Sequence, residues 1–179
     1  MKKVLIIGNS GSGKSWLSAH LSKQLNIKEI NLDAVYWVPG GFNKKRSPEI
    51  VDSELAKLCS ESQWIVEGVF GALAEQLISS ADTLIFLDID LDICEKSLIS
   101  RGSESSKQLD IEVAEDNFKE LLKWASEYKS RTSKNSFDFH SHLFNEFDGD
   151  KLHFSTRNEV NSFISSSACN RLNGTKTVG

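Results

Sequence analysis

The chain has 179 residues, 39% hydrophobic and 26% charged, a size and balance that suit one α/β domain with a sizeable core. Lys and Arg total 21 against 25 Asp and Glu, a formal charge of −4 that disfavours general attraction to nucleic acid or to an anionic membrane. No apolar run approaches the roughly 20 residues of a bilayer span, and Met1-Lys2-Lys3 leads into a strand rather than a signal peptide, so the cytoplasm is the expected compartment.

Residues 3–7 end in Val4-Leu5-Ile6-Ile7, an apolar run of the kind that fills the middle of a parallel sheet. Directly after it, Gly8-Asn9-Ser10-Gly11-Ser12-Gly13-Lys14-Ser15 fills every fixed position of the G-x-x-x-x-G-K-[ST] phosphate loop. A glycine-rich backbone turns its N–H groups inward as an anion nest, and the helix that follows presents its positive N-terminal end. A nucleoside triphosphate is the expected ligand, held by Gly8, Ser10, Gly11, Ser12, Gly13, Lys14, Ser15 and Trp16. Lys14 is expected at the β- and γ-phosphates, and the Ser15 hydroxyl on Mg²⁺. The glycines run Gly8-x-x-Gly11-x-Gly13 rather than G-x-G-x-x-G, which sets aside a dinucleotide-binding oxidoreductase.

Leu17, Leu21 and Leu25 share one stripe of a helix over 14–25. Residues 27–32 predict a second strand ending at Asp33, and Val38-Pro39-Gly40-Gly41-Phe42 breaks regular structure. Ser47-Pro48-Glu49 supplies an N-cap, a first-turn proline and a favourable acid for a helix that buries Val51, Leu55 and Leu58. Trp64-Ile65-Val66 predicts the third strand and 83–87 the fourth, with Leu73, Leu77 and Ile78 on a helix between them. After Asp88 a helical pattern carries Ile93 and Leu98 to Arg101-Gly102, and the polar Ser103-Glu104-Ser105-Ser106-Lys107 reads as a mobile segment. Phe118, Leu121, Leu122, Ala125 and Tyr128 keep helical spacing over about five turns.

His140-Ser141-His142 puts two imidazoles on one face of an extended segment, but no third His or nearby Cys completes a metal site, so a solvated loop is expected. Residues 151–154 predict a fifth strand, and Thr156 with Glu159 forms a capping box for a last helix bearing Val160, Phe163 and Ile164. Cys59, Cys94 and Cys169 are odd in number and far apart, as reduced thiols would be. The alternation implies a mainly parallel sheet with helices on both faces and ligands at the carboxyl ends of its strands. Gly8, Asp33, Glu67 and Asp88 fall at such ends. One domain over 1–165, with a helical lid at about 102–135, is expected ahead of a flexible tail over 166–179.

Taken in order, these features resemble the adenylate-kinase-like P-loop family and, within it, the FlaR-like (topology modulation protein) subgroup. The resemblance rests on the phosphate loop, Leu32-Asp33 with Trp37 and Pro39-Gly40, the Trp64 to Gly68 strand end, Ala81 to Asp88, Cys94 with Arg101, and Trp124 to Arg131. It implies a three-layer P-loop nucleoside triphosphate hydrolase fold with a five-stranded parallel sheet. It also implies transfer of the γ-phosphoryl group of ATP, with Mg²⁺, to a nucleotide or small-molecule acceptor. Glu67 resembles the acid that holds Mg²⁺ through water in nucleotide kinases, and Arg157 falls near where relatives hold the nucleotide base.

The chain departs from the family where the acceptor is decided. Glu67-Gly68-Val69-Phe70 stands where nucleotide kinases often have Asp-Gly followed shortly by Arg. Asp90-Leu91 replaces the subgroup's Pro-Arg, and Ser97 replaces an arginine one turn before Arg101. These missing cations argue against an acceptor as anionic as a nucleoside monophosphate.

Phosphoryl transfer leaves little covalent work for the protein, so alignment, Mg²⁺ and positive charge should carry it. Lys14, Asp33, Arg101 and Arg131 are the catalytic candidates: Asp33 as proton acceptor or holder of a metal-bound water, the arginines as lid cations. Ser15, Glu67 and Asp33 are the metal candidates. Asp33 and Asp88 also fit ordinary capping acids, the arginines fit solvated surface residues, and His20 fits a packed or surface histidine. Lys44-Lys45-Arg46 beside Tyr36, Trp37 and Phe42 is either an acceptor contact or a solvated charge run over core aromatics. The leading expectation is a kinase; the alternative is a nucleotide-dependent regulatory or binding protein with slow ATPase activity.

Overall fold

The computed structural model describes residues 1–39, 44–102 and 111–166. Its five strands are β1 (Lys3–Gly8), β2 (Glu29–Asn31), β3 (Trp64–Gly68), β4 (Thr83–Leu87) and β5 (Asp150–Phe154). They form one sheet in the order β2-β3-β1-β4-β5, every neighbouring pair parallel. The eight helices are α1 (Lys14–Leu25), α2 (Leu32–Tyr36), α3 (Pro48–Ser60), α4 (Gly71–Ile78), α5 (Leu91–Arg101), α6 (Ile111–Ser126), α7 (Phe137–Glu146) and α8 (Arg157–Ser165).

β1 takes the central position because it is apolar on both faces. Leu5 and Ile7 join Val66, Leu84 and the helices α2, α3, α4 and α7 in one core. Val4 and Ile6 join Ile65, Ile85 and side chains of α1, α5 and α8 in the other. All four are fully buried, each contributing about 1.5–3 kcal/mol of transfer free energy. The α8 capping box forms as expected: Thr156 Oγ1 accepts from the Glu159 amide while the Glu159 carboxylate accepts from the Thr156 amide. Among the described residues no helix is long and apolar enough to cross a membrane.

Two expectations are corrected. The second strand covers only Glu29–Asn31, because the Asn31 side chain accepts the Asp33 amide at 2.7 Å and starts α2 there. Asp33 therefore sits in the first turn of a short helix, two residues past the strand. Residues 137–146 are helix rather than extended segment or solvated loop, begun by the Ser136 hydroxyl accepting from the Phe139 amide. His140 is fully buried on that helix, between Tyr128 and Val69. Cys59 and Cys94 are free thiols. The break at 40–42, the polar segment at 103–107, Cys169 and the tail from 167 onward lie outside the described residues.

Candidate functional site

A cavity of about 860 Å³ opens beyond the carboxyl ends of the strands, walled by the phosphate loop, α2, the end of β3, α5, α6 and Arg157. The loop conformation depends on its glycines. Gly11 has φ +80°, and a Cβ there would lie 2.3 Å from the Cys94 carbonyl oxygen on α5. α5 can therefore pack directly onto the loop only over a glycine.

Lys14 is buried and its Nζ donates to the Asn9 carbonyl at 2.8 Å, closing over the loop. Burial pushes its pKa below the ordinary lysine range, while Glu67 and then Asp33 pull it back up. β3 lies beside β1 with Ile6 opposite Glu67, which brings that carboxylate to the level of the loop. The Ser15 hydroxyl donates to Glu67 Oε1 at 2.7 Å, with Glu67 only 3% exposed. Asp33 lines the same cavity. The Ser12 hydroxyl, 2% exposed, meets no hydrogen-bond partner among the described residues. Such an orphan inside an anion nest suits a ligand oxygen.

Ser10, Gly11, Gly13 and Trp16 also line the cavity, Trp16 from an exposed position with its ring 3.9 Å from that of His20. His20 is thus a packing partner of Trp16. Gly8 ends β1 beneath the loop. Arg101 and Arg157 both reach the cavity. Arg157 donates to the Gly11 carbonyl at 3.5 Å and to the Ser97 hydroxyl, which sets a guanidinium from α8 against the phosphate loop.

Other candidates lie elsewhere. The Arg131 guanidinium stacks on Trp124 at 3.6 Å, and its three nitrogens are buried without a hydrogen-bond acceptor among the described residues, outside the cavity wall. Burial lowers its pKa. Asp88 faces His153 Nε2 at 3.4 Å rather than the cavity. Arg46 Nε donates to the Trp37 carbonyl at 2.9 Å and Lys45 lies over the Tyr36 ring, and neither is among the side chains that line the cavity.

Asn9 was not foreseen. Its buried amide donates to the Ala125 carbonyl of α6 at 2.9 Å while its Oδ1 accepts from the Ser10 amide, tying the loop to α6. Phe70 and the α6 residues Asn117, Phe118, Glu120, Leu121 and Trp124 line the cavity as well. The helical spacing of Phe118 and Leu121 signals only a buried stripe. Among the described residues no cluster of three His, Cys, Asp or Glu side chains forms a metal site.

The fold is that of the P-loop kinases. It is similar to a shikimate kinase from Bacteroides thetaiotaomicron (TM-score 0.52, 14% identity, 97% of this chain and 99% of that one). A sugar kinase from Janibacter sp. gives TM-score 0.54 at 14% identity, over 97% of this chain and 95% of its own. A deoxyadenosine kinase from M. mycoides with bound dATP gives 0.52 at 16% identity, over 96% of this chain and 100% of its own. At these identities the likeness is one of fold. No protein-family model matches the chain. In sequence it is 31% identical over 129 residues to the uncharacterized protein YqaC of Bacillus subtilis (strain 168), covering 71% of this chain and 72% of that protein. The chain belongs to the YqaC family.

Proposed function

We propose that the chain is an ATP-dependent phosphotransferase of the adenylate-kinase-like P-loop type, in the FlaR-like subgroup, working in the cytoplasm as one domain over 1–165 with α6 as part of its lid. The observation that carries this reading is the convergence of buried Lys14, the 2.7 Å Ser15–Glu67 pair and Asp33 on one cavity. A lysine stripped of water beside an unpartnered Ser12 hydroxyl suits a polyphosphate, which would restore charge and hydrogen bonds together.

Hard oxygen donors suit Mg²⁺, and the Ser15 hydroxyl with the Glu67 carboxylate, Asp33 through water, are the residues that would hold it; the ion would offset negative charge on the phosphates. Lys14 and the loop amides from Gly8 to Ser15 hold the triphosphate, Trp16 and Arg157 flank the nucleotide, and Arg101 adds positive charge from α5. Asp33 takes the proton of the acceptor hydroxyl. The acceptor oxygen bonds to the γ-phosphorus, the bond from that phosphorus to the bridging oxygen breaks, and its electron pair leaves with ADP.

Transfer of label from γ-labelled ATP into a panel of nucleosides, nucleotides, sugars and small alcohols tests the proposal. A labelled product is expected, with turnover falling about 100- to 1,000-fold in Lys14→Ala. Steady hydrolysis without any labelled acceptor would refute transfer and leave the regulatory reading with slow ATPase activity. One observation favours that second reading: Arg131, the other lid cation, stacks on Trp124 and is not among the described side chains that line the cavity.

A further inference from the structure

We infer that the phosphoryl acceptor carries no negative charge and presents a ring face to an aromatic corner formed by Trp37 and Phe70; this rests on the phosphotransferase reading above. The cavity is electrically divided. Its cations, Lys14, Arg101 and Arg157, stand at the start of α1 and on α5 and α8, the helices that follow β1, β4 and β5. Over the β2–β3 half the lining residues are Asn31, Asp33, Trp37, Glu67, Val69 and Phe70, with no basic side chain among the described residues. α6 adds Glu120 and Asn117 rather than a lysine or arginine.

Sheet order produces this division. β1 lies between β3 and β4, so helices after β4 and β5 gather on one side of the phosphate loop and the segments after β2 and β3 on the other. The nearest basic run is not part of the lining: Arg46 Nε donates to the Trp37 carbonyl and Lys45 lies over the Tyr36 ring. In sequence, 40–43 carries no charge, and 103–110 carries one lysine against two acids.

Lys14 and the ion that Glu67 and Asp33 would hold are taken up by the triphosphate, so a carboxylate or phosphate on the acceptor would meet these acids with no lysine or arginine of its own, a costly like-charge juxtaposition. A neutral ring meets a fitted surface instead. The Trp37 and Phe70 rings meet at 64° with centroids 6.4 Å apart, and Tyr36 packs behind Phe70 at 4.5 Å. Nucleoside bases and the C–H faces of sugars both suit such a corner. The ring positions a hydroxyl, whose oxygen bonds to the γ-phosphorus as the bond to ADP breaks and whose proton passes to Asp33.

Matched pairs test the inference: a nucleoside against its 5′-monophosphate, and a hexose against its uronic acid, each competing for label from γ-labelled ATP. The uncharged member is expected to be favoured by about 100-fold in kcat/KM. The nucleoside and hexose arms separate the two ring chemistries. Glu120→Lys, on an exposed face of α6, should narrow the ratio between pair members; an unchanged ratio would overturn the charge explanation. Equal or preferred labelling of the anionic members would overturn the inference and leave the phosphotransferase standing. Lys14-dependent hydrolysis with no member labelled would refute transfer itself, and the inference with it.

Discussion

Lowering the pH from 7 to 5 should destabilise this protein through His140. Its Nε2 lies 3.2 Å from the Val69 carbonyl and its Nδ1 2.6 Å from the Tyr128 hydroxyl. A carbonyl only accepts, so Nε2 carries the proton and Nδ1 accepts from Tyr128, a pattern that satisfies the neutral ring completely. A second proton would displace the Tyr128 bond and leave a charge out of reach of water. Burial first, then repulsion from Lys14, pushes the His140 pKa from 6.5 down to about 3, against a smaller upward pull from the Val69 bond.

The folded pKa is depressed, so below pH 6.5 the unfolded chain binds a proton that the folded chain refuses. Stability is complete above that pH and falls as the medium is acidified, by about 1.4 kcal/mol per unit. At pH 5 the loss is about 2 kcal/mol. Urea unfolding at pH 7 and pH 5 measures it. His140→Phe should be less stable at pH 7, by about 1–3 kcal/mol for each polar group left unpaired, yet lose about 2 kcal/mol less than the parent on acidification. His20, His142 and His153 cancel in that comparison. Equal acid losses in parent and variant would refute the assignment. Val69 follows Glu67-Gly68 directly, so loosening this bond also loosens the strand end that bears Glu67.

Glu67→Gln can still accept from the Ser15 hydroxyl but loses the charge, so the Mg²⁺ concentration for half-maximal turnover should rise about 10- to 100-fold. The same change removes the largest upward pull on Lys14, so the alkaline limb of the turnover–pH profile should move to lower pH; an unmoved limb and Mg²⁺ dependence would refute both roles. Gly11→Ala combines φ +80° with a clash against the Cys94 carbonyl and should cost more than about 2 kcal/mol. Gly13→Ala has φ +100° but nothing within 4 Å of its Cβ, so only the backbone strain of about 1–2 kcal/mol remains. Equal losses in urea unfolding would show that α5 does not press on the loop.

Elements with one dominant period were legible: β1, α1, α3 and the α8 capping box all follow from apolar spacing and terminal residues. α7 was not, because Phe137-Asp138-Phe139-His140 alternates like a strand, and its helical face emerges only when His140 and Leu143 are buried together. Asn9 was hidden because the phosphate-loop motif leaves its position open, and its partner, the Ala125 carbonyl, lies 116 residues away. Ser97 is the most instructive case. Set against the FlaR-like pattern it reads as a missing arginine on α5; in the fold, Arg157 reaches its hydroxyl from α8 and sets a guanidinium against the Gly11 carbonyl. β4 and β5 are neighbours, and this brings the N-terminal end of α8 to the flank of α5. The charge beside the phosphate loop is therefore set by strand order, and a position-by-position comparison overstates its loss on this side of the cavity. Over β2 and β3 no such replacement arrives among the described residues, so there the absence of cations bears on the acceptor proposed above.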